Sequence, residues 1–279
     1  MSFYRCEVSI TSRHSGRNGS SAVAAAAYRS GQSLTDVDGT VWDYTHRKDA
    51  NEIQSFVLPA PGAGDWCKNP EKLWGAVERA EKRKDSQLFR EWKLSLPREL
   101  RPEQNRQMVQ AFVREELHKL GMTCQVSLHD LDGENPHAHI QAPLRRVHGD
   151  GLDAKKDRTW NSRDLVPLWR ERWAAIENRT FEAMGIDHRV DHRSNAERGL
   201  GMPLHLPRAA YEMEKRGERT VLGDSLHAQT QEHAETQREL KEVERGLATY
   251  AQREQDEGPE AFDLTWCPGL EPLSVSLDG

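Results

Sequence analysis

The chain lacks several features that mark whole classes of protein. It has only four cysteines in 279 residues, and none form a C-x-x-C pair, so the sequence predicts neither a disulfide framework nor a zinc knuckle. No apolar run approaches the roughly 18 residues of a membrane span. No basic-then-apolar segment typical of a signal peptide opens the chain. We therefore expect a cytoplasmic protein without membrane insertion.

Charge is distributed unevenly along the chain, whose net charge is −6. Residues 224–279 carry 13 acidic and 4 basic side chains, whereas residues 1–223 carry 32 acidic and 35 basic side chains. Only the N-terminal part is therefore compatible with a polyanionic partner. We predict a folded domain over residues 1–223, a charged helix or weak coiled coil over 224–257, and a disordered tail over 258–279.

Short segments of alternating polar and apolar residues are separated by segments with helical spacing. Strands are predicted around residues 5–10, 41–44, 53–58, 91–96, 124–129 and 137–142. Helices are predicted near residues 22–30, 73–80, 102–120 and 162–185. Strands that are apolar on one side only are typical of an α/β (α+β) protein with an antiparallel sheet, helices on one face and the other face open.

The most informative segment contains three histidines in the pattern H-x₇-H-x-H, at His129, His137 and His139. Each falls on the polar side of its predicted strand, and the link between them, residues 130–136, is rich in turn formers. A hairpin would bring the three imidazoles together on one face of the sheet. Three neutral imidazoles can bind a metal and leave coordination positions open for a substrate. The alternative is three surface histidines on a solvated face.

Tyr28 is a candidate nucleophile. It ends a run of four alanines and precedes Arg29, so small neighbours would let a bulky substrate reach its hydroxyl. Ser20 or Ser21 is predicted to cap this helix, and Gly31 lies just past its end. On spacing alone, a core aromatic residue on an amphipathic helix explains Tyr28 better.

Several segments, taken in order, resemble the MobA/MobL relaxases of mobilisable plasmids. They are residues 21–31, 43–45, 81–85, 129–140 and 191–194, and the Ala-Tyr-Arg-Ser-Gly and histidine segments together are far more specific than either alone. The resemblance implies an HUH-type endonuclease fold and a tyrosine that nicks one DNA strand at an origin of transfer. It makes Tyr28 the nucleophile and His129, His137 and His139 the metal ligands.

One strand departs from the family pattern. Where relatives often carry Glu-x-Glu, this chain has Glu91-Trp92-Lys93, so a supporting or proton-accepting role in catalysis passes to Glu91 alone. Glu91 and Lys93 share the polar face of the predicted strand, from which either side chain could reach the site. The alternative is that both are solvated surface residues.

The residues and the resemblance together predict a plasmid mobilisation relaxase. The Tyr28 oxygen would attack a DNA phosphate at a site that holds Mg²⁺ or Mn²⁺, giving a 5′-phosphotyrosyl strand and a free 3′-hydroxyl. Basic residues near the tyrosine are expected to contact DNA phosphates: Arg13, Arg17, Arg29 and Arg47.

Single-stranded DNA at a transfer origin is the expected partner. The chain has no Walker-type phosphate loop, so we expect accessory mobilisation proteins and a coupling protein to supply unwinding and transport. Three alternatives stay open at this point. They are a rolling-circle replication initiator, a metal-dependent hydrolase that uses water while Tyr28 lies in the core, and a DNA-binding accessory protein without catalysis.

Overall fold

The computed structural model describes residues 4–13, 21–47, 49, 52–193, 197–198, 208–221, 223–224 and 245. The chain divides into two units, Met1–Arg198 and Gly199–Gly279. The predicted charged helix and tail lie outside the described residues, apart from positions 224 and 245, so those boundaries and the one at residue 223 stay predictions. None of the described helices is long and apolar enough to span a bilayer.

The first unit is built on antiparallel strands. They are β1 (Cys6–Ser12), β2 (Ser33–Thr35), β3 (Val41–Asp43), β4 (Gln54–Leu58), β5 (Gln87–Ser95), β6 (Cys124–His129) and β7 (His137–Pro143). Five of them form one sheet in the order β1-β5-β7-β6-β4, and β2 pairs with β3 in a separate hairpin. The antiparallel sheet is as predicted; β2 is an additional strand, too short to show an alternating pattern.

Four helices accompany the sheet in this unit. They are α1 (Ala22–Ser30), α2 (Pro70–Ala80), α3 (Pro102–Phe112) and α4 (Leu165–Ala183). A π-helical turn and a 3₁₀ turn continue α3 as far as Gly121, whose φ of 80° ends the segment as predicted. The described helix of the second unit is α5 (Arg208–Lys215).

The apolar face of the sheet carries the larger hydrophobic core. Because side chains alternate along a strand, Trp92 on β5 and Leu128 on β6 point to the same face, where α3 and α4 cover them. Trp92 meets Trp169 of α4 edge-on, with ring centroids 5.0 Å apart. Phe112 of α3 meets Trp173 in the same way at 5.6 Å. These aromatic contacts join α4 to the sheet and α3 to α4.

The opposite, polar face is covered at one end by α1 and α2. Their buried side chains form a second core with Phe89 of β5, and Ala26 and Ala27 of α1 are fully buried in it. Our expectation of helices on one face was therefore incomplete, because the face on which a helix packs depends on contacts between segments distant in the chain. The histidine hairpin lies toward the other end of this face.

The helix ends agree with the prediction at α1 and differ at α4. The Ser21 hydroxyl accepts a hydrogen bond from the Ala24 amide at 3.1 Å, and Gly31 takes the left-handed conformation at φ 63°. The helix predicted from about residue 162 begins at Leu165, after Asp164. Ser162 follows a 3₁₀ turn instead, and its hydroxyl accepts from the Asp164 amide at 3.4 Å.

Candidate active site

The β6–β7 hairpin confirms the predicted placement of the histidines. His129 pairs directly with His137, and His139 lies two residues farther along β7, opposite Ser127. The three ring centroids form a nearly equilateral triangle with sides of 5.1, 5.1 and 5.2 Å. One face of one hairpin therefore brings together three imidazoles that are separated by up to ten positions in the chain.

The tight link of the hairpin depends on Asp130. This residue takes a positive φ of 53°, and its carboxylate accepts a hydrogen bond from the Asn135 amide at 2.6 Å. A β-carbon on Gly133 would meet the Asp130 carboxylate at 1.8 Å, so a side chain at that position would force the turn to shift. Asp130 thus shapes the turn that sets the register of the histidines.

Each histidine has one ring nitrogen bound to an acceptor. His129 donates through Nε2 to the Arg29 carbonyl at 2.7 Å, and His137 donates through Nδ1 to the Asn135 carbonyl at 2.7 Å. His139 donates through Nδ1 to Glu91 Oε1 at 2.6 Å. These bonds orient the rings and assign the tautomers, so that the opposite nitrogen of each ring carries a lone pair.

Burial keeps His129 and His139 neutral. Desolvation, together with repulsion from His139 and His137, lowers the pKa of His129 to about 4. Desolvation also lowers the pKa of His139, against the opposing effect of the Glu91 carboxylate. Neutral imidazole is the form that binds metal ions, so these two rings have the right protonation state near pH 7.

Glu91 connects the histidines to α1. Its carboxylate accepts hydrogen bonds from both Nε and Nη2 of Arg29, the second at 2.7 Å, besides the bond from His139. Burial alone would raise the pKa of Glu91, but the bonds from His139 and Arg29 outweigh it and hold the pKa at about 2. A carboxylate with so low a pKa is a poor proton acceptor, so the geometry favours the supporting role expected of Glu91.

Tyr28 lies at the exposed rim beside this network. Its side chain is 50% exposed, which contradicts the alternative that it is a core aromatic residue. The Arg47 guanidinium lies 4.3 Å from the centre of the Tyr28 ring, and Tyr44 meets the ring edge-on at 5.2 Å. Because the next residue, Arg29, contacts both Glu91 and His129, the tyrosine is tied to the histidine cluster.

Three of the four arginines expected to bind DNA have acidic partners within the protein. Arg13 pairs with Glu78 at 2.6 Å, Arg29 pairs with Glu91, and Arg47 pairs with Asp49. These pairs reduce the charge available to a phosphate and give each arginine a positioning role. Arg17 lies outside the described residues, and phosphate contact stays a prediction for all four.

One contact of the site was missed because it involves the backbone. The Arg29 carbonyl, near the end of α1, accepts from His129, which lies 100 positions later in the chain. A residue-type pattern carries no signal for a bond to a carbonyl group. Similarly, Gln125 on the histidine face accepts a hydrogen bond from the Trp74 indole of α2, a contact that depends on how α2 packs.

The donor set fits a divalent cation, although the side chains do not yet form a coordination shell. As they stand, no three His, Cys, Asp or Glu side chains in the described part of the chain are arranged to hold a metal ion. In the cluster, His129 Nε2 is bound to the Arg29 carbonyl. Rotation of this ring, or binding through its Nδ1, would be needed to complete a three-nitrogen site with His137 and His139.

Known proteins are similar to this chain in sequence and in fold. The chain is 32% identical to mobilization protein MobL of Acidithiobacillus ferridurans, over 88% of this chain and 74% of that protein. It is 32% identical to conjugal transfer protein TraA of Agrobacterium fabrum over 78% of this chain, and spans only 22% of that protein's length. Residues 20–216 match the MobA/MobL family.

A solved structure supports the same relationship. It belongs to work on the "Molecular Basis of Vancomycin Resistance Transfer in Staphylococcus aureus" and superposes with a TM-score of 0.62 at 29% identity. The match covers 68% of this chain and 98% of that one. Together with the family match over most of the chain, these similarities show that the chain belongs to the MobA/MobL family.

Proposed function

We propose that the chain is a DNA relaxase that nicks one strand at a plasmid origin of transfer, using Tyr28 as the nucleophile. The observation that carries the proposal is the exposed Tyr28 side chain, fixed beside three converging histidines through its neighbour Arg29. The names of the relatives, mobilization protein and conjugal transfer protein, support the same activity.

The reaction is a transesterification. The Tyr28 oxygen attacks the phosphorus, the bond from phosphorus to the 3′-oxygen breaks, and a 5′-phosphotyrosyl strand forms. The phenol is half exposed, so its proton can pass to water, and the leaving 3′-oxygen takes up a proton from water. The reverse reaction rejoins the strand. Because the phosphoester energy is conserved in the adduct, no nucleotide cofactor is needed.

The histidine cluster would position the scissile phosphate. A divalent cation held there, Mg²⁺ or Mn²⁺, would supply positive charge to stabilise the negative charge that develops on the phosphate. Glu91 holds the His139 ring in one orientation and, through Arg29, holds the end of α1 that presents Tyr28. The chain's own contribution is therefore the alignment of nucleophile and phosphate.

The expected substrate is single-stranded or locally melted DNA. Tyr28 must approach a phosphate at the centre of the histidine face, and a paired strand would hold that phosphate away from the concave site. Accessory mobilisation proteins and a coupling protein are proposed as further partners, since the chain has no Walker-type motif for unwinding DNA.

Labelled single-stranded oligonucleotides tiled across the native transfer region test the proposal directly. The full chain with Mn²⁺ should cut one of them and leave a protein–DNA adduct on a denaturing gel. Tyr28→Phe removes only the nucleophilic oxygen, so it should reduce adduct formation at least about 10³-fold and leave DNA binding nearly unchanged. Tyr44→Phe, which removes the hydroxyl of the adjacent ring, is the matched control and should keep the activity.

Other outcomes would indicate a different activity or a different nucleophile. Cleavage by the wild type without any adduct would favour a metal-dependent hydrolase that uses water. An adduct that persists in Tyr28→Phe would exclude this nucleophile. Cleavage at a replication origin instead of a transfer origin would favour a rolling-circle initiator.

A further inference from the structure

Two concave regions adjoin the histidine network. The lysine cavity has a volume of about 290 Å³, and its lining includes Arg5, Lys93, Leu96, Arg98, His137 and His139. The tyrosine groove is larger, about 760 Å³, and its lining includes Thr11, Tyr28, Arg29, Trp42 and Phe89. His137 and His139 thus border the first region, and Tyr28 borders the second.

The two regions lie toward opposite ends of the same two strands. On β5, Phe89 lines the tyrosine groove, whereas Lys93 and the two residues after it line the lysine cavity. On β1, Thr11 lines the groove and Arg5, just before the strand, lines the cavity. Glu91 lies between them on β5 and binds Arg29 on one side and His139 on the other.

This arrangement matches the geometry of an in-line displacement. The attacking and leaving oxygens must lie on opposite sides of the phosphorus. With Tyr28 at the groove and the phosphate at the histidines, the 3′-oxygen leaves toward the lysine cavity. We propose that the lysine cavity binds the nucleotide that carries the leaving 3′-oxygen and that Lys93 contacts its phosphate, an inference that rests on the proposed function.

Lys93 is the cation best placed for this contact. It is exposed and lies opposite His139 in the β5–β7 register. Arg5 and Arg98 also line the cavity, but they pair with Glu7 at 2.7 Å and with Glu134 at 2.8 Å. Lys93 forms no ion pair with the residues that the structure describes, so its full charge is available to a phosphate.

The size and lining of the cavity suit one nucleoside. Its volume of about 290 Å³ is near the lower end of small-molecule pockets. Its lining includes the buried Leu96 and Pro136, which form an apolar wall, and Lys93 supplies charge for the phosphate. Such a site has a clear consequence after cleavage, because it retains the free 3′-hydroxyl end for rejoining.

The rejoining reaction measures binding of the 3′-hydroxyl fragment separately from nicking. The full chain is first converted to its adduct with the mapped oligonucleotide, and the DNA fragment that ends in the free 3′-hydroxyl is then added at increasing concentration. Lys93→Ala should raise the KM for this fragment about tenfold and lower kcat less than about threefold, because it removes binding and not the nucleophile. It should also reduce the slope of log affinity against log salt by about 0.7, the value for one phosphate contact on a single strand.

Matched variants separate this role from a structural one. Lys93→Arg keeps a cation and should restore the KM, whereas Lys119→Ala removes an exposed lysine from the opposite layer and should change neither KM nor the salt slope. A fragment whose 3′-terminal nucleotide lacks its base should also bind the wild-type adduct more weakly.

Three results would overturn the proposal for the lysine cavity. An adduct that forms normally in Lys93→Ala and rejoins with the wild-type KM and salt slope would overturn the assignment of the cavity and leave the proposed nicking function intact. Normal binding of the fragment that lacks its terminal base would also overturn it. A wild type that forms no adduct would overturn both.

Discussion

Leu128 and His129 are neighbours on β6, yet their side chains lie on opposite faces of the sheet. Different interactions hold the two side chains in place. Leu128 is fully buried under α3 and α4, where it contributes by removing apolar surface from water. His129 faces the other way and is held by a directed hydrogen bond to the Arg29 carbonyl. One strand therefore provides both the energy that holds the fold and the geometry that orients the site.

A buried carboxylate on the polar face and one on the apolar side of the sheet differ in their partners and in their pKa. Glu91, on the polar face, is paired with Arg29 and His139, which hold its pKa at about 2. Glu177 on α4 is more deeply buried, its Oε2 has no hydrogen-bond partner among the described residues, and burial raises its pKa well above the usual value. Changes on the polar face should therefore alter chemistry, and changes on the apolar side should alter stability.

The largest effect is expected from loss of a histidine. His137→Ala or His139→Ala should lower the nicking rate more than about 100-fold, with little change in melting temperature. This loss exceeds the loss of about 10–100-fold in activity that is typical when a residue supporting a metal ligand is replaced. EDTA should stop the wild type, and Mn²⁺ should bind more tightly than Mg²⁺ because nitrogen donors suit transition metals. His148→Ala, at a half-exposed histidine outside the cluster, is the control. Calorimetry that finds unchanged cation binding in both variants would contradict the three-histidine site.

The matching change on the apolar face is Leu128→Ala. It should lower the free energy of unfolding by about 2–5 kcal/mol, because the buried side chain leaves a cavity between β6 and the helices. Urea unfolding measures this loss, and nicking per folded molecule should stay close to that of the wild type. A variant with normal stability and lost nicking would show that the two faces are not separable in this way.

A smaller loss is expected from Glu91→Gln. The amide oxygen can still accept from His139, but the charge that holds Arg29 is lost, so cation affinity or nicking should fall about 10–100-fold. The depressed pKa of Glu91 also contributes stability above its unfolded value of 4.5, which is lost as pH falls toward about 2. That part of the pH dependence of unfolding should diminish in the variant. Glu103→Gln, at an exposed position of α3, should leave both properties unchanged.

The smallest effect is expected at Glu177, with the opposite sign. Because burial raises its folded pKa above the unfolded value of 4.5, this carboxyl favours folding at low pH and destabilises the fold as pH rises above that value. Glu177→Gln should therefore increase the free energy of unfolding at pH 7 by about 1 kcal/mol. The gain should disappear below pH 4.5. An equal gain at both pH values would show that the charge is not its cause.

Local sequence patterns predicted the parts of the site that lie within one hairpin or one helix. The alternation on either side of residues 130–136 placed the three histidines on one face of a hairpin, and the structure confirms this and pairs His129 with His137. The Ser21 cap and the Gly31 end of α1 were likewise visible, since each depends on neighbouring residues. The exposed position of Tyr28 was not, because spacing alone favoured the core and only the family resemblance favoured the nucleophile.

Contacts between distant segments could not be predicted. The bonds of Glu91 to Arg29 and His139 join β5, α1 and β7, whose relative positions follow from packing of the whole unit. The cover of α1 and α2 over one end of the polar face was missed for the same reason. The lysine cavity also combines residues from separate segments, so no single pattern marks it.

The central claim is that Tyr28 becomes covalently joined to DNA, and peptide mapping of the adduct tests it most directly. Trypsin separates residues 18–29, which contain Tyr28, from residues 30–47, which contain Tyr44. After nuclease digestion, mass spectrometry should find a phosphate-linked nucleotide on the peptide of residues 18–29 alone. A nucleotide on the peptide of residues 30–47, or cut DNA whose 5′-phosphate is free of protein, would contradict the assignment of Tyr28 as the nucleophile.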